Sequence, residues 1–140
     1  MAQLAHQYFC RSAERFPDKV AVTCGSESTT YRELDQFSNA FARELRNHGV
    51  ERGTYVPFFM AKSVRSMQAM LSILKADCAY VPLDYASPRE RLVSILDSTD
   101  ASLVIVDDES GPALEALGID VPTLNISAFE PADTAALDYR

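Results

Sequence analysis

The fold of this chain is decided by the stretch Leu74-Lys75-Ala76-Asp77-Cys78-Ala79-Tyr80-Val81-Pro82-Leu83-Asp84, which is soon followed by Ser87-Pro88-Arg89-Glu90-Arg91-Leu92. These residues predict the end of a helix, a short buried strand over 79–83, an acidic turn and the start of another helix. Ser87 is predicted to be the N-cap of the second helix, with Pro88 in the first helical position and Glu90 in the third. A helix end, a strand and a helix start within so few residues are typical of a chain that alternates helices and strands.

The alternation continues in both directions from this stretch. Hydrophobic periodicity predicts helices over 4–16, 31–48, 64–76 and 88–97, and a weaker helix over 112–117. Strands are predicted over 20–24, 55–60, 79–83, 102–106 and 121–126, and residues 27–30 are predicted to pair back on the first strand as a hairpin. The pattern indicates an α/β fold in which helices flank a mostly parallel sheet. We expect a partial domain over residues 1–130 and a truncated linker over 131–140.

Three local signals sharpen these expectations. Thr30 and Glu33 have the spacing of a capping box, which predicts the start of the second helix, and Gly49 stands where a left-handed residue would end it. Pro57 cannot donate to a strand ladder and is therefore predicted to lie at a strand start or on an edge strand. Ser63 is predicted to cap the third helix, whose core face is expected to contain Met67, Met70, Leu71 and Leu74.

The composition excludes several classes of function. Among 140 residues, thirteen basic and twenty acidic side chains give a net charge of −7, which argues against a nucleic-acid surface and against attraction to anionic lipid. No apolar run is long enough to span a membrane, and the N-terminus lacks the basic and apolar regions of a secretory signal. We expect a cytoplasmic protein that binds neither nucleic acid nor membrane, in which Cys10, Cys24 and Cys78 are reduced thiols.

The acidic run Asp107-Asp108-Glu109 follows a predicted buried strand and is the most tempting candidate site. Receiver domains hold Mg²⁺ on such a pair, but they carry it after their first strand and need later strands for an acceptor Asp and a Lys. Only 33 residues follow Asp107, which is too few to supply those strands. We interpret the run as an exposed turn at the end of a strand.

The other residues that could carry chemistry are scattered along the chain. The five glycines form neither GxGxxG nor GxxxxGK[ST], and no serine lies in a GxSxG elbow. His6 and His48 lie far apart and are interpreted as surface or helix-end histidines rather than ligands or bases. The residues themselves therefore assign no catalytic, cofactor-binding or metal-binding position.

Several separated segments resemble, in the same order, the adenylation domains of non-ribosomal peptide synthetases. Phe16-Pro17-Asp18-Lys19-Val20-Ala21-Val22 resembles the opening PDxxAV, Thr30-Tyr31-Arg32-Glu33-Leu34 resembles [ST]YxEL, and Val56-Pro57 with Lys62-Ser63 resembles VPxxxxKS. The stretch quoted first resembles LKAGxAYVPLDxxxPxxRL, so the likeness covers about residues 9–107. The chain departs from the pattern at Asp77, where the family usually has Gly, and at Ala61, where it often has Glu. We expect Asp77 to occupy a left-handed conformation at modest cost.

The resemblance implies the adenylate-forming ligase fold, of which this chain would supply an incomplete N-terminal subdomain. In that family ATP and a carboxylate substrate react, with Mg²⁺, to give an acyl-adenylate and pyrophosphate, and the acyl group passes to the phosphopantetheine thiol of a carrier protein. The phosphate loop, the amino-acid pocket and the lid with its catalytic Lys lie beyond the matched segments. The resemblance therefore carries no catalytic residue onto this chain, which is expected to bind no cofactor and to be inactive alone.

Two functions stay open at this point. The chain would be the N-terminal fragment of an amino-acid-activating adenylation domain in secondary-metabolite biosynthesis, with the remainder of the domain or other synthetase modules as partners. Alternatively, it would be a non-catalytic binding or assembly module derived from such a domain. A large apolar surface, exposed where further sheet and helices would dock, favours the first, and polar edges favour the second.

Overall fold

The computed structural model describes residues 11–131 and contains the predicted alternation of helices and strands. The helices are α1 (residues 11–15 of its described part), α2 (Tyr31–Asn47), α3 (Val64–Lys75), α4 (Arg89–Thr99) and α5 (Ser110–Ala116), and a 3₁₀ turn covers Ile126–Ala128. The strands are β1 (Val20–Cys24), β2 (Glu27–Thr30), β3 (Tyr55–Phe59), β4 (Ala79–Leu83), β5 (Val104–Val106) and β6 (Thr123–Asn125). The rest of the first predicted helix, and the predicted linker from residue 132 onward, lie outside the described residues.

The strands form two separate sheets. β1 and β2 make the predicted antiparallel hairpin, and the other four form a parallel sheet in the order β4-β3-β5-β6. α2 and α3 pack on one face of this sheet around Phe41, Phe58 and Ile73. α4 and α5 pack on the opposite face around Phe59 and Leu92. The prediction of a mostly parallel sheet flanked by helices is therefore confirmed.

Two helices begin with reciprocal capping. The Thr30 hydroxyl accepts a hydrogen bond from the Glu33 amide at 3.1 Å, and the Glu33 carboxylate accepts one from the Thr30 amide at 3.0 Å. Hydrogen bonding of the Glu33 carboxylate to the Thr30 backbone amide, and secondly to the Thr30 side chain, lowers the pKa of the Glu33 carboxyl. Ser63 caps α3 in the same way with Ser66 as its partner. Gly49 has a φ of 85° after the end of α2, so the predicted left-handed residue is also confirmed.

The predicted N-cap at Ser87 is wrong. Pro88 occupies the N-cap position without a side-chain hydrogen bond, and α4 begins one residue later. The Ser87 amide instead donates to the Asp84 carbonyl at 3.0 Å, while the Asp84 carboxylate accepts a hydrogen bond from the Ala86 amide at 2.9 Å. Because the aspartate closes the turn locally, the serine amide takes part in that turn and its hydroxyl does not cap the helix.

Pro57 does not lie where the sequence predicted. It is in the middle of β3, which has β4 and β5 on its two sides. The Ala79 amide donates to the Thr54 carbonyl at 3.0 Å, and since backbone amides alternate in direction along a strand, the nitrogen of Pro57 faces β5. Pairing with β5 begins only at Phe58. Pro57, which lacks an N–H, therefore lies just before the first pair between β3 and β5. An internal strand tolerates proline at that position because no hydrogen bond to β5 is lost.

Between residues 11 and 131, no helix is long and apolar enough to cross a membrane.

Candidate functional site

Parallel α/β sheets place ligand sites at the carboxyl ends of their strands, at the point where the connections diverge to opposite faces. In this sheet that point lies between β3 and β5, because the chain passes from β3 through α3 to β4 and then returns through α4 to β5. The loops at this edge begin at Met60, Asp84 and Asp107. Their polar groups are therefore the first candidates for a binding site.

The acidic run after β5 makes hydrogen bonds within the fold. Asp107 Oδ1 accepts hydrogen bonds from the amides of Glu109 at 3.0 Å and Ser110 at 2.7 Å, and the Ser110 hydroxyl accepts one from the Asp107 amide at 2.9 Å. Asp108 Oδ1 accepts a hydrogen bond from the side-chain amide of Asn125 at 2.9 Å. These contacts start α5 and join the end of β5 to the end of β6. They support the interpretation of this run as a structural turn.

The Lys75 cluster, formed by Lys75, Asp35 and Asn39, joins α2 to α3. The Lys75 side chain is 0% exposed, and its ammonium donates to Asp35 Oδ1 at 2.6 Å, to the Asp35 carbonyl at 3.1 Å and to Asn39 Oδ1 at 2.8 Å. Three donors thus meet three acceptors, which is the condition under which a buried ammonium is tolerated. The role of Lys75 in this segment is therefore to fix one helix against the other.

Sequence reasoning missed this cluster because it assigned the core face of α3 from its large apolar residues. Leu71 is buried as predicted, but Leu74 is half-buried and Met67 and Met70 are only partly buried. The face of α3 that packs against α2 and the sheet includes Gln68, Ser72 and Lys75. Its small and polar residues let the two helices approach closely, and apolar periodicity does not detect that arrangement.

Asp77 follows the end of α3 with a φ of 66°, which confirms the predicted left-handed conformation. Arg52 Nε donates to Asp77 Oδ2 at 2.9 Å, and Arg52 Nη2 contacts the same oxygen. The Gly53 amide donates to the Asp77 carbonyl at 2.8 Å. The carboxylate that replaces the family's usual glycine is therefore held by an ion pair to the loop that precedes β3.

The histidine and cysteine residues within the described part form no catalytic arrangement. His48 caps the end of α2 and lies 3.9 Å from Glu44. Cys78 is buried and its thiol donates to the Glu51 carbonyl at 3.2 Å, whereas Cys24 is half-buried and lies 3.5 Å from the Lys62 carbonyl. His6 and Cys10 lie outside the described residues.

The acidic groups at the carboxyl edge are engaged in hydrogen bonds within the chain. Oδ1 of Asp107 and Oδ1 of Asp108 already accept hydrogen bonds from the chain, and the described residues contain no group of three His, Cys, Asp or Glu side chains that could hold a metal. The glycines with positive φ, at positions 25, 49, 53 and 118, stand singly in turns. A phosphate cradle needs several convergent backbone amides, and none of these loops supplies them.

Comparison with known proteins identifies the family over nearly the whole chain. The model of the AMP-binding enzyme family matches residues 9–138. Tyrocidine synthase 1 from Brevibacillus parabrevis is 34% identical over 134 residues, which are 94% of this chain and 12% of that protein. Bacitracin synthase 3 from Bacillus licheniformis is 34% identical over 139 residues, which are 95% of this chain and 2% of that protein. The chain therefore spans a small part of the curated relatives that it matches.

Solved structures give the same result. FmoA3, a nonribosomal peptide synthetase crystallised with alpha-methyl-L-serine-AMP, superposes with a TM-score of 0.89 and 34% identity over 98% of this chain and 16% of its own. A fatty acyl-adenylate ligase from L. pneumophila shares the fold, with a TM-score of 0.83 at 21% identity, over 96% of this chain and 26% of its own. The chain belongs to the AMP-binding enzyme family and corresponds to an N-terminal portion of the adenylation domain of nonribosomal peptide synthetases.

Proposed function

We propose that this chain is the part of an amino-acid-activating adenylation domain that contains the domain's first parallel sheet and supports it with the flanking helices. In the complete domain, ATP and an amino acid would react to give an aminoacyl-adenylate and pyrophosphate. The aminoacyl group would then pass to the phosphopantetheine thiol of a carrier domain. The observation that carries this proposal is the superposition on FmoA3, which includes 98% of the chain.

The contribution of these residues is structural support. The polar groups in the motif segments that match the family bind one another: Thr30 caps α2, Lys75 joins α2 to α3, and Asp84 closes a turn. ATP and Mg²⁺ would be held by the rest of the domain, since the loops described here offer no Gly-rich phosphate cradle, and residues 11–131 contain no group of three His, Cys, Asp or Glu side chains arranged to hold a metal. The remaining synthetase domains would be its partners, and the proposed location is the cytoplasm.

Exposed aromatic residues favour this proposal over an independent binding module. Tyr55 on β3 is 55% exposed, and Tyr80 on β4 and Tyr85 just after it are 37% and 38% exposed. The rings of Tyr85 and Phe59 stack with their centres 5.0 Å apart. Large apolar side chains at the margin of a sheet are typical of a surface that packs against further structure.

A chimera tests the proposal. In FmoA3 the segment that this chain matches would be replaced by residues 1–140, and exchange of labelled pyrophosphate into ATP would be measured with alpha-methyl-L-serine. We expect substrate-dependent exchange by the chimera. We expect none by the isolated chain, or by FmoA3 without the segment.

Calorimetry of the isolated chain with Mg-ATP should show no binding, because it lacks groups to orient a triphosphate and to neutralise its charge. Exchange by the isolated chain would overturn the proposal, since the catalytic groups would then lie within it. A folded chimera that does not catalyse ATP–pyrophosphate exchange would also contradict the proposal. That result is expected of a segment that has the same fold but does not belong to an amino-acid-activating domain.

A further inference from the structure

A groove of about 910 Å³ lies on the side of the sheet away from β4. One wall is the face of α2 from Ala40 to Asn47, and the other is the segment from Leu124 to Glu130, which contains the end of β6. We call it the β6 groove. Leu124 and Phe129 supply partly buried apolar surface next to it, and Phe129 packs edge-on against Phe41 with ring centres 5.1 Å apart.

The edge of β6 beside this groove can accept another strand. The Val104 amide donates to the Pro122 carbonyl at 2.9 Å, so the amide of Leu124 faces β5. Because amides alternate in direction along a strand, those of Thr123 and Asn125 face away from the sheet. Within residues 11–131, no backbone hydrogen bond from either amide is found on that side.

The opposite edge of the sheet differs in this respect. The Ala79 amide faces β3, where it donates to the Thr54 carbonyl at 3.0 Å. By the same alternation the nitrogen of Pro82 faces outward, and proline has no hydrogen to donate. On the β4 edge only Tyr80 keeps an outward-facing amide, whereas on the β6 edge both Thr123 and Asn125 keep theirs.

The wall of the groove on α2 carries the guanidinium group of Arg46. Its Nε and Nη2 are buried and make no hydrogen bond within residues 11–131. Burying charged donors without acceptors is unfavourable, and a carboxylate satisfies two of them at once through paired hydrogen bonds. Glu44, on the same wall, lies beside His48 at 3.9 Å. A carboxylate from outside the described residues would satisfy Nε and Nη2 of Arg46.

We propose that the β6 groove receives a β-strand from the rest of the adenylation domain, together with an Asp or Glu side chain that pairs with Arg46. This inference rests on the proposed function, in which the remainder of the domain is present. FmoA3, of which this chain matches 16%, has ample further chain to supply such a strand. The strand extends the parallel sheet beyond β6, and the carboxylate fixes its position over α2.

Hydrogen exchange of individual amides tests the strand. The isolated chain is compared with the FmoA3 chimera, and we expect the Thr123 and Asn125 amides to exchange at least about tenfold more slowly in the chimera. The Leu124 amide faces β5 in both proteins and serves as the internal control. Fast exchange of Thr123 and Asn125 in a folded chimera overturns the inference, whether or not that chimera is active. Slow exchange in an inactive chimera contradicts the proposed function instead.

If the chimera does not fold, intact FmoA3 supplies the second measurement. Its strand aligned with 123–125 should have slowly exchanging amides at the two positions that correspond to Thr123 and Asn125. Fast exchange at those positions overturns the inference, and slow exchange supports it.

The carboxylate is tested by Arg46→Met. In the isolated chain this change removes unused donors, so the melting temperature should stay the same or rise. In the chimera it removes an ion pair, so the melting temperature should fall by about 2 °C or more. Arg32→Met is the matched control, because Arg32 lies on the same helix and pairs with Asp18 at 3.1 Å. Equal shifts for Arg46→Met in both proteins overturn the proposed carboxylate.

Discussion

Replacing Asp77 with glycine tests how the chain accommodates its departure from the family pattern. The residue has a φ of 66°, a conformation that glycine adopts freely and that other residues adopt at a cost. Its carboxylate is also bound by Arg52, whose side chain is 44% exposed while that of Asp77 is 29% exposed. A substitution therefore changes backbone strain and an ion pair together, and the two effects have opposite signs.

The expected magnitudes nearly cancel. Relief of the left-handed strain stabilises the folded chain by about 1 kcal/mol, since Asp tolerates this conformation better than most residues. The greater freedom of glycine in the unfolded chain costs about 0.5 kcal/mol. Loss of this partly exposed ion pair costs about 0.5 kcal/mol. We therefore expect Asp77→Gly to change the free energy of unfolding by less than about 0.5 kcal/mol in the native background, and to stabilise Arg52→Met by about 0.5 kcal/mol.

Urea denaturation of the native chain, the two single variants and the double variant measures this coupling. In 1 M salt the coupling should shrink, because exposed charges are screened. Asp77→Ala is the control for the backbone, and it should be about 1 kcal/mol less stable than Asp77→Gly. If Asp77→Gly has the same effect in both backgrounds, the ion pair contributes nothing. If the Ala variant is as stable as the Gly variant, the argument from the left-handed conformation is refuted.

Two further predictions concern the helices. Lys75→Met should lower the free energy of unfolding by about 2–3 kcal/mol, because it leaves the acceptors of Asp35 and Asn39 without their buried donor; a loss below about 1 kcal/mol in denaturant melts would contradict the role given to Lys75. Thr30→Ala should cost about 1 kcal/mol through loss of the cap. The pKa of Glu33 lies below its ordinary value of 4.5, so its stabilisation is present above that pH and is lost as the pH falls through the folded-state pKa. The stability curves of Glu33→Gln and the native chain should therefore converge in acid, and parallel curves would show that the carboxylate does not matter.

The strand β5 could be predicted from the sequence because it is buried on both faces, and such a strand appears as a short run of apolar residues; Val104–Val106 was found within two residues of its observed bounds. The bounds of Ala79–Leu83 were also predicted, but its predicted burial is wrong, because this edge strand is mostly exposed. The left-handed residues at Gly49 and Asp77 could also be predicted, since they follow the last periodic residues of their helices. In both cases the signal is local, and no distant contact overrides it.

The errors at Ser87 and at Pro57 have different causes. Ser87 and Asp84 both offer a side-chain oxygen near the start of α4, and the aspartate forms a turn that the spacing of a capping box does not reveal. Pro57 was assigned to an edge because its missing donor was considered without knowledge of where the neighbouring strand begins. The position of Pro57 could not be predicted because it depends on where β5 begins to pair with β3, and the pattern around Pro57 does not contain that information.

The motif residues that identify the family also explain why no catalytic position could be predicted. In the stretch that decides the fold, Lys75 binds α2, Asp77 binds Arg52, and Asp84 closes its own turn. Each of these polar groups has a partner within the chain, which supports the proposal that the motif is structural. A polar group whose partner lies elsewhere is the better guide to what this fold joins. Arg46 belongs to none of the matched motifs, and its Nε and Nη2 make no hydrogen bond within residues 11–131, which is why we propose a partner for it in the rest of the domain.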